Sequence, residues 1–449
     1  MKTAKAWLFG VALAAVALAN VRDADACGGC FVAQSESTVV TGHKMILSIS
    51  QQQTTLYDQI VYSGDPSSFA WILPVKGVAD VGLSSDALFQ ALDQQTTVTI
   101  NSPQITCPPP PDCGGDDAFF GGGGAGGASG EDPVTVVAQS TVGPYETVQL
   151  KSSSPGALAA WLAEHGYNIP ADVQPVVDAY VGEGFDFLAL KLVPGKGINA
   201  MRPVRITTAG ASPVLPLRMV AAGTGPITPI TLWVMGEGRY DTVNLPSFQV
   251  DGNLLVWNWD TSQSNYTQLK QVGFASTQNK GWLIQAAEPF SKYWLSDSLY
   301  SLAEWDPEGS GYADENGMNA AAAVDDDMAA LFGSIAESSL WVTRLNGELA
   351  RSALGADLQL GASASQATIQ RTFNLTFSTG TPPACPSFPP CDPGEGSNDG
   401  WGLWGNNGNG PGGGNSTGCA MTHSNGMPML GGLALMAALA FARRRRHGR

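Results

Sequence analysis

The sequence predicts a β-rich α+β fold: antiparallel sheets with a helical pair near 154–181, stapled by disulfides and followed by a disordered, glycine-rich stalk. Three observations point there. Runs of β-branched and aromatic residues with partial period-two alternation recur along the chain, as half-buried strands require. Ser154-Pro155 supplies a cap and a first-turn proline for one helix, and a second follows directly. Charged residues are only 14 %, with 54 glycines, 29 prolines and seven cysteines, a composition suited to an exported β-rich chain.

Taken in order, the chain opens on a signal peptide at 1–26. Lys2 and Lys5 form its positive region, 7–19 its apolar core, and Ala24-Asp25-Ala26 a small-x-small site for signal peptidase. Cleavage after Ala26 makes Cys27 the mature start. Lipidation there is the alternative, which Ala24 and Asp25 fit poorly. The exported body spans 27–380. Residues 38–62 read as two strands with a polar turn, and His43 after Gly42 reads as part of a turn. Gly64-Asp65-Pro66 is a turn, and 69–75 a buried strand ending at proline. Residues 84–94 read as a helix capped by Ser84 or Ser85, with Leu88 and Leu92 on one face. A glycine-rich insertion at 114–130 precedes strand-like 134–150. Helices at 154–165 and 170–181 lead to a strand at 185–193. Further strands are read at 202–220, 231–241, 254–259 and 367–378, with a helix at 319–336. Residues 381–418 form a linker rich in Cys and Pro, then Gly, with eleven glycines in the 25 residues 394–418.

The last segment, 419–449, is a sorting tail. Cys419 follows Gly418, the apolar run 427–442 follows, and Arg443, Arg444, Arg445 and Arg446 close it. Sixteen helical residues reach about 24 Å against a hydrocarbon core of about 30 Å, so the span is marginal. The arginines place the tail end inside and the body outside the inner membrane. The order of cysteine, hydrophobic helix and arginine cluster resembles the myxobacterial C-terminal sorting signal (MYXO-CTERM). The resemblance implies cleavage near Cys419 by a membrane-embedded sorting protease and lipid attachment through Cys419. The expected location is the cell surface or outer membrane. An uncleaved tail instead leaves an inner-membrane anchor facing the periplasm.

Loss of both ends leaves 15 basic against 37 acidic residues, which argues against nucleic acid as partner. Six cysteines fall in close pairs: Cys27 with Cys30, Cys107 with Cys113, and Cys385 with Cys391. Six cysteines allow fifteen connectivities. Cys27 and Cys30 have redox spacing, but at a mature N-terminus a structural disulfide is the expectation. The proline runs inside the other two pairs disfavour self-closure, since polyproline advances about 3.1 Å per residue and bonded Cα atoms lie within about 7 Å. One hypothesis is therefore that the two proline loops are bonded to each other.

The body resembles the bacterial domain-of-unknown-function family 2330. The residues that carry this are 26–31 (ACGGCF), 62–66 (YSGDP) into 69–75 (FAWILPV), Trp161-Leu162 through 166–170 (GYNIP), 187–192, Pro203-Val204-Arg205 and 213–218 (PVLPLR). The resemblance implies export and no chemistry. The insertion at 114–130 departs from it.

No catalytic set is read. Nucleophilic catalysis needs a base beside the nucleophile, and neither His43 nor His165 has such company. The glycine run 121–127 lacks the Lys-Ser/Thr of a phosphate loop. A candidate calcium loop starts at Asp306: Asp306, Glu308, Ser310, Gly311 and Asp314 match positions one, three, five, six and nine, but Gly317 stands where a bidentate Glu belongs. Glu315 and 325–327 are the substitutes, and a solvated acidic loop is the alternative. Trp257 and Trp259 with Tyr266 form either a sugar-stacking platform or part of a core. Two functions stay open: a surface-anchored structural or binding protein without catalysis, and a secreted hydrolase, metal-assisted, with an acidic site at 306–327.

Overall fold

The structure, a computed structural model, describes residues 30–32, 39–63, 69–108, 140–151, 155–164, 173–193, 201–221, 226–313 and 320–387. The chain divides into two units. The first is Met1–Pro109 with Phe119–Ser387; the second, Pro110–Ala118 with Phe388–Arg449, lies outside the described residues.

Eight strands form the larger sheet, in the order Ser247–Phe248, Trp282–Pro289, Leu340–Ala350, Ile227–Glu237, Val39–Ile49, Gln53–Ser63, Val204–Ala209 and Ala79–Leu83. Five form the smaller: Cys30–Val32, Phe69–Val75, Asp186–Leu192, Tyr145–Leu150 and Ser140–Val142. The smaller sheet is antiparallel throughout. The larger is mixed. Val39–Ile49 runs parallel to Ile227–Glu237, and Ser247–Phe248 parallel to Trp282–Pro289.

Period-two alternation sorts the strands into layers. Met45, Leu47, Ile49, Leu56, Ile230, Leu232 and Val234 project from the larger sheet onto Trp71, Leu73, Val75, Leu188, Leu190 and Leu192 of the smaller. The intervening residues Ile46, Tyr57, Trp233 and Met235 face the other way, onto helices Asp86–Thr96, Lys292–Trp305 and Ala320–Phe332. On the far side, Ile72, Phe187 and Ala189 pack under helices Pro155–Glu164 and Gln174–Gly182. The result is four layers: helices, large sheet, small sheet, helical pair. Each apolar side chain so buried contributes about 1.5–3 kcal/mol.

Local chemistry explains the elements that were expected. Ser85 caps helix Asp86–Thr96 by accepting from Ala87 N, and Asp86 in its first turn suits the helix dipole. Leu88 and Leu92 are buried on its inner face. The helical pair stands at 155–164 and 174–182. Cys107 is bonded to Cys385 across 278 residues, with Cα atoms 5.5 Å apart, so the two proline loops are bonded to each other.

Several expectations are corrected. His43 lies within a strand, not in a turn. Residues 202–220 are not one strand: Val204–Ala209 is followed by the two-residue pairing Val214–Leu215 and the helical turn Leu217–Val220, since Pro213 and Pro216 interrupt the ladder. Residues 367–378 contribute only Thr372–Asn374 and the start of Ser378–Thr379. Residues 254–259 reduce to Trp257–Asn258. Strands Trp282–Pro289 and Leu340–Ala350 are covered on both faces, which erases the alternation that would announce them. Among the described residues, no helix is long and apolar enough to cross a membrane. The insertion, the stalk and the apolar run 427–442 lie outside those residues.

Candidate functional site

A cleft of about 350 Å³ opens between the two sheets. Strand Gln53–Ser63 places Asp58 on the same face as Leu56, so the carboxylate enters the apolar space between the layers. Its side chain is only 3 % exposed. His43, on the neighbouring strand, lies beside it with Nδ1 3.1 Å from Asp58 Oδ1, so an Nδ1–H donates to the carboxylate. The imidazole is fully buried and its Nε2 has no partner among the described residues. The second carboxylate oxygen accepts no hydrogen bond among the described residues, and Asp58 borders the cleft. A buried carboxylate costs stability unless paired. Asp58 has His43 as its one partner among the described residues and lines the cleft.

Trp71 and Tyr145, both buried, supply aromatic walls from the smaller sheet. The Tyr145 hydroxyl donates to Arg202 O at 2.8 Å and accepts from Arg202 N at 3.1 Å, fixing the backbone that carries Arg202 into the cleft. Arg202 Nε donates to Ser84 O at 3.0 Å. Burial lowers the pKa of this guanidinium, while Asp327 and other nearby groups raise it. At the mouth, Asp86 accepts from Gln59 Nε2 at 2.6 Å and Lys44 Nζ lies 3.7 Å from Asp93 Oδ2.

On the opposite face of the larger sheet lies a second buried carboxylate, Asp327. Arg205 Nη1 donates to Oδ1 at 2.9 Å; Ser84 Oγ at 2.5 Å and the Tyr312 hydroxyl at 2.9 Å donate to Oδ2. Tyr57 donates to its backbone carbonyl at 3.0 Å. Burial pushes this carboxyl upward in pKa; Arg205 and the three hydrogen bonds pull against it. Gly82 makes room for Arg205, since a Cβ there would sit 2.6 Å from Nη2. Ser84 joins the two regions: its hydroxyl serves Asp327 and its carbonyl holds Arg202.

The sequence-derived candidates fall elsewhere. Asp306 caps the short helix Pro307–Ser310, accepting from Gly309 N at 3.0 Å. Ser310 is turned inward, its hydroxyl donating to Pro307 O at 2.6 Å and accepting from Tyr312 N at 3.1 Å. Glu308 is exposed, and Asp314 and Gly317 lie outside the described residues. Asp325 accepts a hydrogen bond from Tyr300. The described carboxylates of 306–327 thus do not converge: Asp306 caps a short helix, Asp325 accepts from Tyr300, and Asp327 is buried with Arg205. No group of three or more His, Cys, Asp or Glu that could hold a metal occurs among the described residues. Trp257 and Trp259 are half-buried with ring centroids 6.0 Å apart, edge to face. Ala26, Cys27, Cys113, Cys391, Cys419 and Arg443 to Arg446 lie outside the described residues; Cys30 is described as the start of a strand.

Sequence reasoning did not join His43 to Asp58 or bring Arg202 to them. A signal existed: a charged residue at an inward position of an apolar strand, as Asp58 is two residues after Leu56, invites a search for its partner.

The comparisons bear on identity. No curated protein matches this chain. Among solved structures, a chain of a crystal structure of the caspase-8/p35 complex is matched at 9 % identity and a TM-score of 0.24, over 45 % of this chain. The match spans 65 % of the length of that chain and is too slight to carry an argument. A family profile described as "Uncharacterized protein conserved in bacteria (DUF2330)" matches residues 21–350. That stretch contains every residue of the interlayer cleft, and Trp71, Pro203 and Val204 of the motifs named above line it. By the extent of that match, the chain belongs to the DUF2330 family.

Proposed function

We propose that this protein is exported, held at the cell surface through its C-terminal tail, and works by binding rather than catalysis. Its site is the interlayer cleft. The ligand is a small zwitterion, with an ammonium group on Asp58 and an acidic group toward Arg202. The observation that carries the reading is the open oxygen of Asp58: a carboxylate buried in an apolar layer, bonded on one side and bordering a cleft on the other. Trp71 and Tyr145 add faces that favour a cation, and a volume of about 350 Å³ suits a metabolite-sized molecule. Export and anchoring rest on the signal peptide and the tail sequence.

Calorimetric titration of the mature chain with a panel of free amino acids, including D-forms, tests the site. Saturable binding that weakens at least about tenfold in Asp58→Asn is expected, the loss of one charge-assisted bond. Absence of binding at millimolar ligand would sink it. Intact mass of the protein from envelope fractions tests the location. A mass ending near Cys419 with added lipid is expected; one running to Arg449 means an unprocessed anchor. A millimolar calcium titration tests the loop that begins at Asp306.

A further inference from the structure

A second cleft, of about 380 Å³, lies at the other end of the larger sheet. Its floor is made by a β-bulge. The pairing of Trp282–Pro289 with Leu340–Ala350 shifts register between Ile284 and Ala286, so Gln285 is the extra residue. A bulge re-aims the side chain it carries, and Gln285 lines the cleft. Its amide has one orientation. Arg344 Nε donates to Gln285 Oε1 at 2.9 Å, and Arg344 is itself held by Asp93 at 2.6 Å and Thr96 at 3.0 Å. The amide nitrogen therefore faces Tyr266, 3.3 Å from its hydroxyl. Burial raises the pKa of Tyr266, so the hydroxyl stays neutral.

The opposite wall is Thr368, Gln370 and Phe373. It is pinned to the sheet by two backbone hydrogen bonds between Ile369 and Ala287, at 2.8 and 3.0 Å. Phe373 lies against Gly252, where a Cβ would meet its ring at 3.0 Å. Among the described residues Asp251 is the one carboxylate on the rim, and its Oδ1 is taken by Asn253 through two bonds of 2.9 Å. No basic side chain lines the cleft among the described residues.

We propose that this cleft is a second binding site, for a neutral saccharide. Convergent amides and hydroxyls match the alternating donors and acceptors of sugar hydroxyls. The Phe373 ring offers an apolar surface to the C–H face of a pyranose. The lack of basic groups turns away phosphates and uronates. The wall at 368–373 lies beyond the family match, which ends at 350. It stands independently of the zwitterion site.

The test is calorimetry of the full mature chain with maltotriose, cellotriose and tri-N-acetylchitotriose, each to about 10 mM, alongside a galacturonate trisaccharide. At least one neutral trisaccharide binds saturably, Phe373→Ala weakens it about tenfold and Tyr266→Phe about threefold, in line with the loss of a stacking face and one hydrogen bond. Thermal unfolding is run on each variant. Should Phe373→Ala unfold, Tyr266→Phe, which removes a single oxygen, still decides. The proposal is overturned by no binding of any neutral trisaccharide, by binding of the uronate alone, or by binding that Tyr266→Phe leaves unchanged.

Discussion

Asp58 and Asp327 are both buried carboxylates on the larger sheet and its covering layer, yet they are treated oppositely. Asp327 receives Arg205, Ser84 and Tyr312, and it is not among the residues that line the interlayer cleft. Among the described residues Asp58 receives only His43, and it borders the cleft. Burial alone therefore does not mark a site. A fully satisfied carboxylate rigidifies, because its charge is spent inside the fold. A half-satisfied one beside a cavity keeps binding capacity in reserve. Asp325 extends the series at the surface, where its partner Tyr300 competes with water.

The largest effect is expected at the satisfied end. Asp327→Ala leaves Arg205 buried without its counter-charge and should cost about 3–5 kcal/mol, read as a lower urea midpoint. A loss below about 1 kcal/mol would mean that water reaches the Arg205 guanidinium, and the contrast with Asp58 would collapse. Gly82→Ala attacks the same cluster from the other strand. Its Cβ would meet Arg205 2.6 Å from Nη2, so the arginine must shift, at about 1–3 kcal/mol. Asp58→Asn keeps an acceptor for His43 and removes only the charge. Its stability cost should stay at about 1 kcal/mol while amine binding weakens at least about tenfold. A cost equal to that of Asp327→Ala would make Asp58 a structural group.

The smallest effect belongs to Asp325. Burial, with Asp325 beside it, pushes the Tyr300 phenol from 10.0 up to about 12. The folded protein thus holds that proton more tightly than the unfolded chain. The linked stability is complete below pH 10 and is lost as pH rises through about 12. Alkaline ultraviolet titration should show, beside other tyrosines held up by burial, one that ionises near pH 12 and that Tyr300→Phe removes. Ionisation of Tyr300 together with exposed tyrosines near 10 would mean the contact is solvated away.

Much of the secondary structure was legible before any coordinates. The two strands in 38–62 are marked by their β-branched and aromatic residues on either side of a polar turn, although both of their faces are buried. Ser85 and Pro155 mark helix starts because the first turn has free N–H groups and tolerates proline. The stiffness of the two proline-filled loops suggested that they bond to each other, and the bond from Cys107 to Cys385 joins them; which cysteines pair was left open by the sequence. Strands Trp282–Pro289 and Leu340–Ala350 stayed hidden because burial on both faces removes the period.

What the sequence by itself determined, then, is the local code: where strands and helices begin, which loops are stiff, and that the chain carries a leader-like start and a cysteine–apolar–arginine end. Only the tertiary structure decided the four-layer stacking, the parallel pairing of Val39–Ile49 with Ile227–Glu237, and the meeting of Arg202 with Asp58 in one cleft. The physical reason is range. Propensity and capping are settled within a few residues, whereas register between strands nearly two hundred residues apart depends on how whole layers pack, and no short stretch of chain contains that information.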